Sequence, residues 1–386
     1  MARRAASVSD YRALAKARLP HFLFEYLDGG SYDEVTLRRN VEDLRSVALK
    51  QRVLRDVSSI DLSTELFGKR WSMPVGLGPV GLSGLYARRG EVQAAHAAAE
   101  AGVPFALSTL SACSIGEVAR SGAPFWFQLY IVKDRAFVSD MIAKAKEAGC
   151  GALLLTVDLA VPGTRYRDYR AGISGSLASP NRRRMQVVQR PGWAWEVGLR
   201  GKPHTLGNIE PLLGSDAVLE NLMGWVSQNF DSSVTWKDVE WVRSQWDRPL
   251  VIKGILDPED ARASLGSGAD GIVVSNHGGR QLDGVSSTAR ALPQVADAIA
   301  GRSPILVDGG VRSGLDVVRM LALGADFVMM GRAWAYALAA GGQDAVAHVL
   351  KLIDAEMRVA MALTGVTKVP EINELLLESS GNQATF

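Results

Sequence analysis

Cysteine is nearly absent: the 386 residues hold two, Cys113 and Cys150, and they form no metal-ligand spacing. No metal site is expected, and a reducing cytoplasm is the expected compartment. Charge of one sign is lacking too, since the formal net charge is only +2. No whole-protein field argues for nucleic acid, so any charged partner must be met locally. No apolar signal region follows Met1-Ala2-Arg3-Arg4, and no run approaches the roughly 18 uninterrupted apolar residues of a spanning helix. Attachment to a membrane surface stays open. No G-x-G-x-x-G follows a strand and there is no P-loop, so a Rossmann cofactor is not expected.

What is present is a large apolar fraction, 47% of residues, enough for one α/β barrel or two ordinary domains. The most informative stretch is Gly271-Ile272-Val273-Val274-Ser275-Asn276-His277-Gly278-Gly279-Arg280-Gln281-Leu282-Asp283-Gly284. Its β-branched run, closed by Gly-Gly, predicts a buried strand whose C-terminal end delivers Ser275, His277 and Arg280 into one small space. A histidine takes a proton near neutral pH, and a guanidinium grips a carboxylate with two parallel hydrogen bonds. The pair suggests a base beside an anionic substrate; the alternative is a loop histidine satisfied by backbone groups.

Residues 1–60 read as helical and polar, with one helix ending at Asp28-Gly29-Gly30 just after Tyr26. From Pro74 a strand-then-helix unit repeats. The strands expected are Pro74–Pro79, Pro104–Ser108, Phe125–Tyr130, Ala152–Asp158, Pro249–Lys253, Asp270–Ser275, Pro304–Asp308 and Phe327–Gly331. Ser114-Ile115-Gly116-Glu117 and Ser313-Gly314-Leu315-Asp316 are capping-box patterns, and Asp257-Pro258-Glu259 opens another helix. Eight alternating βα units predict a closed (β/α)8 TIM barrel, with the chemistry at the C-terminal strand ends. Those ends carry Gly78 with Pro79, Ser108, Gln128 with Tyr130, Thr156 with Asp158, Lys253, Ser275 with His277, Asp308, and Gly331 with Arg332. The whole chain, 1–386, reads as one barrel domain, closing with a helical stretch Gln343–Leu363 and a polar tail from Glu378.

One long insertion, about residues 170–235, separates the fourth and fifth strands. From Arg165 to Lys202 nine basic residues stand against Asp168 and Glu196, a balance of +7, with Trp193 and Trp195 among them. Basic residues mixed with tryptophan suit an anionic membrane surface, and a solvated active-site lid is the other reading.

Gly309-Gly310 and Gly331, with Arg312 and Arg332 adjacent, make a phosphate seat on the seventh and eighth strands, where barrels commonly hold phosphate. Ser108, Gln128 and Thr156 offer hydrogen bonds to a planar ring, and Lys253 offers a positive charge. That set describes a flavin, although Lys253 as a Schiff-base lysine is the alternative.

These residues carry a resemblance. Ser275 to Asp283, Asp308-Gly309-Gly310-Val311-Arg312, Gly324-Ala325-Asp326 running into Gly331-Arg332, and Phe127-Gln128-Leu129-Tyr130 together resemble the FMN-dependent α-hydroxy acid dehydrogenase and oxidase family, from Tyr11 to about Gly365. Within it the likeness is nearest to bacterial quinone-linked L-lactate dehydrogenases, through Asp28-Gly29-Gly30, Tyr86-Ala87-Arg88-Arg89-Gly90-Glu91-Val92-Gln93 and Trp236-Lys237-Asp238.

The resemblance implies His277 as the base, Asp158 as the group that stabilises its protonated form, and Arg280 and Arg165 as the carboxylate clamp with Tyr26 and Tyr130. It implies Ser108, Gln128, Thr156, Lys253 and Ser275 around the flavin ring and ribityl chain, and Asp308, Gly309, Gly310, Arg312, Gly331 and Arg332 around the rest of FMN. It further implies oxidation of a small 2-hydroxy acid, most readily L-lactate, electron transfer to a quinone, a peripheral place on the cytoplasmic side of the inner membrane (or a soluble cytoplasmic one), and a homotetramer. Gly78 departs from the family pattern, in which many relatives carry alanine. That keeps mandelate-type dehydrogenases and oxygen-using oxidases as neighbours. Two rivals differ in class: a phosphate-binding barrel isomerase, and a non-catalytic membrane-associated scaffold that binds no flavin.

Overall fold

The computed structural model describes residues 5–173, 179–201, 204–213 and 222–378. Eight short strands follow one another in the expected places: β3 (Val75–Leu77), β4 (Ala106–Ser108), β5 (Trp126–Leu129), β6 (Leu153–Thr156), β7 (Leu250–Ile255), β8 (Gly271–Val274), β9 (Ile305–Val307) and β10 (Phe327–Met330). Each pairs in parallel with its neighbours in the order β3-β10-β9-β8-β7-β6-β5-β4. A parallel bridge from Leu77 to Phe105 joins the two ends, so the sheet closes as the eight-strand rhythm predicts.

Strand alternation sorts side chains into two layers. Ala106, Trp126, Leu154, Val251, Val273, Leu306 and Phe327 form an apolar cluster separate from the main core. Phe127, Leu153, Leu155, Ile252, Ile272, Val274, Val307 and Val328 belong to the main core, with the residues of the surrounding helices. One period further along the inward rows come Ser108, Gln128, Thr156, Lys253, Ser275 and Asp308. The polar residues at the barrel mouth are therefore the next inward layer above an apolar plug.

A two-stranded hairpin supports that plug from below. β1 (Thr64–Leu66) and β2 (Lys69–Trp71) pair antiparallel, with Leu66 opposite Lys69. Phe67 (φ 53°) and Gly68 (φ 70°) both take the left-handed backbone that a tight two-residue hairpin turn requires. Phe67-Gly68 is not one of the usual turn pairs, so the hairpin is not legible in the sequence. Leu66 and Trp71 pack in the interior cluster, and the Trp71 and Phe67 rings stand 6.0 and 6.1 Å from the Trp126 ring.

The N-terminal expectation needs correction. Three helices are present, α1 (Val8–Arg18), α2 (His21–Asp28) and α3 (Val35–Ser46), but residues 47–60 are not helical. Backbone groups at positions 49, 50 and 52 pair instead with the C-terminal segment: Lys50 N–H donates to Leu376 O and Arg52 N–H to Leu363 O, and Leu49 bridges Leu377. The capping boxes are half formed. Ser114 and Ser313 accept from the N–H groups of Glu117 and Asp316. The carboxylates turn elsewhere, Glu117 to the Arg89 guanidinium and Asp316 to Arg312 N–H. Asp257 caps its helix as expected, accepting from Glu259 N–H.

Between β6 and β7 the insertion contributes several helices, among them Pro180–Val188 and Ala194–Leu199. Its two tryptophans separate. Trp193 is buried and donates to Leu85 O at 2.8 Å, whereas Trp195 is 60% exposed. The basic residues separate as well. Arg165 and Arg167 are spent on internal ion pairs and Arg190 donates to Leu19 O, while Arg182, Arg184 and Arg200 are exposed. Lys202 and the tail from 379 onward lie outside the described residues. No helix among the described residues is long and apolar enough to cross a membrane.

Trp126→Ala should cost about 3–5 kcal/mol, because its ring is the hub of the interior layer and the cavity left behind is closed in by β-strands that cannot collapse. Urea unfolding checks this, and a loss under about 1 kcal/mol would show that the plug is not load-sharing.

Candidate active site

The strand ends open into one cleft at the barrel mouth. Every residue singled out for substrate or cofactor contact lines it, apart from Asp158 and Ser275, which stand behind the lining. The sequence around His277 explains how that side chain is aimed. His277 (φ 57°), Gly278 (φ 64°) and Gly279 (φ 73°) are three successive left-handed residues, a turn that two glycines make cheap and a histidine tolerates. Gly279 is obligatory here, since a Cβ would lie 2.6 Å from Leu37 N. Behind the turn, Asn276 and Asn40 of α3 exchange side-chain amide hydrogen bonds at 2.8 Å.

His277 Nδ1 lies 2.9 Å from Asp158 Oδ1, and Nε2 lies 3.5 Å from the Tyr130 hydroxyl. With the carboxylate accepting from Nδ1–H, Nε2 is left as the acceptor facing the cleft; this tautomer is assigned from the hydrogen-bond network. Burial alone would push the Asp158 carboxyl up, but His277 and Lys253 outweigh it and hold the group below its ordinary range. Burial, reinforced by Asp158, keeps the Tyr130 phenol protonated well above its usual range.

Arg165 and Arg280 flank Tyr26, their guanidinium carbons 5.3 and 4.8 Å from its ring centroid. Arg280 Nη1 donates to Tyr26 O (2.6 Å) and Gly29 O (2.8 Å), which fixes the plane of its fork. Buried Arg165 donates to Asp168 at 2.6 Å. Asp168 went unnoticed as a site residue, although its i,i+3 spacing from Arg165 was visible in the sequence. Lys253 Nζ donates to Ser275 Oγ (2.7 Å) and pairs with Asp308 at 2.9 Å. Burial would strip its proton, but Asp308 and Asp158 more than compensate, so Lys253 stays an ammonium.

A flavin mononucleotide fits this cleft on observations of the chain itself. Gln128 Nε2 and Thr156 Oγ1 are buried and lack a protein partner, which is costly unless a ligand supplies one. Gly309 (φ 102°) and Gly310 (φ 82°) expose backbone where an anion can approach, and a Cβ on Gly310 would lie 2.0 Å from Asn40 O. A Cβ on Gly331 would meet nothing within 4 Å, and on Gly78 it would come 3.1 Å from Met330 O. Burial, with Arg280 and Arg312 nearby, pushes the Arg332 guanidinium down to about 10, so the surroundings of this cation favour an added negative charge. Arg332 itself donates to Leu27 O, Gly278 O and Gly29 O, so its side chain braces the loops rather than reaching outward.

The comparisons decide the family. The model of FMN-dependent dehydrogenase matches residues 15–379. The chain belongs to the FMN-dependent dehydrogenase family. Among curated members it is 62% identical over 369 residues to an L-lactate dehydrogenase of Xanthomonas campestris pv. campestris (strain B100), covering 95% of each chain. It is 59% identical over 373 residues to an L-lactate dehydrogenase of Caulobacter sp. (strain K31), covering 96% of this chain and 98% of that one. Among solved family structures, a monotopic membrane protein, (S)-mandelate dehydrogenase, superposes with a TM-score of 0.91 at 36% identity, over 97% of this chain and all of that one. A mandelate oxidase bound to (S)-4-hydroxymandelic acid gives 0.84 at 37% identity, over 95% of this chain and 97% of that one.

Thr156→Val is nearly isosteric and should weaken FMN binding about tenfold, the worth of one good buried hydrogen bond. Fluorescence titration of apoprotein with FMN measures this; unchanged affinity would remove the hydroxyl from the flavin contacts.

Proposed function

We propose that this family member oxidises L-lactate to pyruvate, using His277 as the base and passing two electrons through FMN to a quinone. The observation that carries the reading is the His277–Asp158 pair set beside Arg280 and Arg165, a proton acceptor next to a clamp for a carboxylate. The L-lactate dehydrogenases at about 60% identity support lactate as the acid, and the mandelate enzymes support the wider class of L-2-hydroxy acids.

In this reading Arg280 and Arg165 bind the substrate carboxylate by charge-assisted hydrogen bonds, and the Tyr26 and Tyr130 hydroxyls donate to its oxygens. That binding sets the substrate hydroxyl carbon against His277. Nε2 takes one substrate proton: that of the hydroxyl if the hydrogen on carbon leaves as hydride, or that on carbon if it leaves as a proton with the hydroxyl proton lost in turn. Asp158 stabilises the imidazolium that results, holding the ring in one orientation throughout. FMN, when bound, supplies the two-electron acceptor. Ser108, Gln128, Thr156, Lys253 and Ser275 would hold its ring and ribityl chain, and Gly78 with Pro79 would face the ring. Asp308, Gly309, Gly310, Arg312, Gly331 and Arg332 would hold the remainder. The Lys253 ammonium would stabilise the negative charge that reduction adds to the flavin, a preorganised effect commonly worth about 3–4 kcal/mol.

The finer parts of the proposal concern the acceptor. Met185, Val188, Trp195 and Leu199 are all more than half exposed, and Arg182, Arg184 and Arg200 are exposed on the same two insertion helices or next to them. Exposed apolar side chains with basic neighbours suit an anionic bilayer on the cytoplasmic side of the membrane, where a quinone would be met. That a solved relative is called monotopic supports this reading. A tetramer is the assembly proposed from the resemblance.

His277→Ala should retain FMN and lose about 10²–10⁴-fold in the rate of flavin reduction by L-lactate, the usual contribution of a general base. Anaerobic stopped-flow measures it, and near-wild-type reduction would remove His277 from the mechanism. Arg280→Lys should raise the L-lactate requirement sharply while methyl L-lactate suffers much less, because lysine cannot make the planar two-point contact. Equal losses for acid and ester would contradict the clamp. Trp195→Ser combined with Leu199→Ser should weaken sedimentation with phosphatidylglycerol vesicles and slow electron transfer to quinone, leaving flavin reduction intact. Slowed flavin reduction with unchanged vesicle binding would make this segment a lid.

A further inference from the structure

α2 ends where the cleft begins, and the last carbonyls of any helix lack intrahelical partners. Here guanidinium groups satisfy them. Tyr26 O and Gly29 O accept from Arg280, and Leu27 O and Gly29 O accept from Arg332, so Gly29 O is shared by both arginines at 2.8 and 2.7 Å. The orientation of Arg280 is therefore only as fixed as this turn.

The turn is held from beneath by one carboxylate. Asp28 is buried, 4% exposed, and accepts from three separate elements. Arg12 of α1 donates twice, at 2.5 and 2.7 Å; Arg167, in the helix Tyr166–Ala171, donates at 2.9 Å; and the Tyr336 hydroxyl, in the helix Arg332–Thr364, donates at 2.7 Å. These donors outweigh the cost of burial and hold the carboxyl well below its ordinary range. Arg167 is further pinned by Glu25 and Glu34, and it lies two residues from Arg165, the other arm of the clamp.

We propose that Asp28 is the positioning residue of the substrate clamp: through the α2 turn it fixes Tyr26 and Arg280, and through Arg167 it fixes the segment that carries Arg165. This rests on reading Arg165 and Arg280 as carboxylate ligands. Asp28 touches neither substrate nor cofactor, so its effect is expressed in how well a carboxylate is gripped, not in the proton transfer at His277. A shape-preserving change that loosens the turn costs affinity for the acid and spares the chemical steps after binding.

The test uses holoenzyme and anaerobic flavin reduction at varied substrate concentration, with L-lactate and its neutral methyl ester side by side. Asp28→Asn should raise the L-lactate concentration for half-maximal reduction about tenfold, within the range that a slight misplacement of binding groups can cost. The limiting rate should stay within about threefold, and the ester requirement should move much less. Tyr336→Phe, which removes one donor and leaves the carboxylate, should shift the same way by a smaller factor. Arg12→Gln should behave like Tyr336→Phe and decides the matter if Asp28→Asn yields no soluble holoenzyme. Unchanged L-lactate dependence, equal losses for acid and ester, or a loss confined to the limiting rate would overturn the proposal. Arg280→Lys in the same assay separates the two claims. If it discriminates acid from ester and Asp28→Asn does not, only the role of Asp28 fails; if Arg280→Lys does not discriminate, the clamp itself is wrong.

Discussion

The constraint on which the site depends is uncompensated positive charge at the barrel mouth. Arg165 has Asp168, Lys253 has Asp308 and His277 has Asp158, but among the described residues no carboxylate pairs with Arg280, Arg312 or Arg332. Main-chain carbonyls stand in for anions around Arg280 and Arg332. Helix-end carbonyls and turn carbonyls stabilise a guanidinium without neutralising it, so the cleft keeps an electrostatic demand for anions. In the proposed reading a substrate carboxylate and a cofactor phosphate would meet that demand at two points, one beside His277 and one beside Gly309-Gly310.

The barrel makes this demand affordable. Its interior is filled by Trp126, Phe327, Leu154 and their neighbours, closed underneath by the Phe67–Gly68 hairpin, so water does not reach the charged layer from below. The layer above that plug alternates sign: Lys253 between Asp308 and Asp158, then His277 against Asp158. Lys253, Asp308, Asp158 and His277 are each fixed by a neighbour of opposite sign, and Arg280 by main-chain carbonyls, so these side chains are in place before any ligand arrives.

Much of this could be read in the chain. Seven of the eight barrel strands fall inside the expected segments and β7 overruns its segment by two residues, to Ile255, because each is an apolar run ended by glycine, proline or a polar residue. The ring of mouth residues follows from strand alternation alone. What escaped the sequence was non-local. Asp28 reads as a helix stop, and nothing nearby reveals that Arg12, Arg167 and Tyr336 converge on it from distant segments. Asn40 looks like a surface helix residue until α3 is seen against Asn276. Residues 47–60 are not helical, and Leu49, Lys50 and Arg52 pair instead with the C-terminal segment. The insertion's net charge is legible in the sequence but its apportioning is not, since Arg165 and Arg167 turn inward and Trp193 finds Leu85 O. Periodicity reports which face of an element is apolar; it does not report which distant carboxylate or carbonyl meets a given arginine.

The most direct test of the account is the flavin of the unaltered protein. Purified holoenzyme, yellow from bound FMN, should bleach within seconds when L-lactate is added without oxygen, and one pyruvate should form per flavin reduced. D-lactate and methyl L-lactate should bleach it far more slowly at the same concentration. Protein that carries no flavin, or a flavin that L-lactate leaves oxidised, would contradict the account.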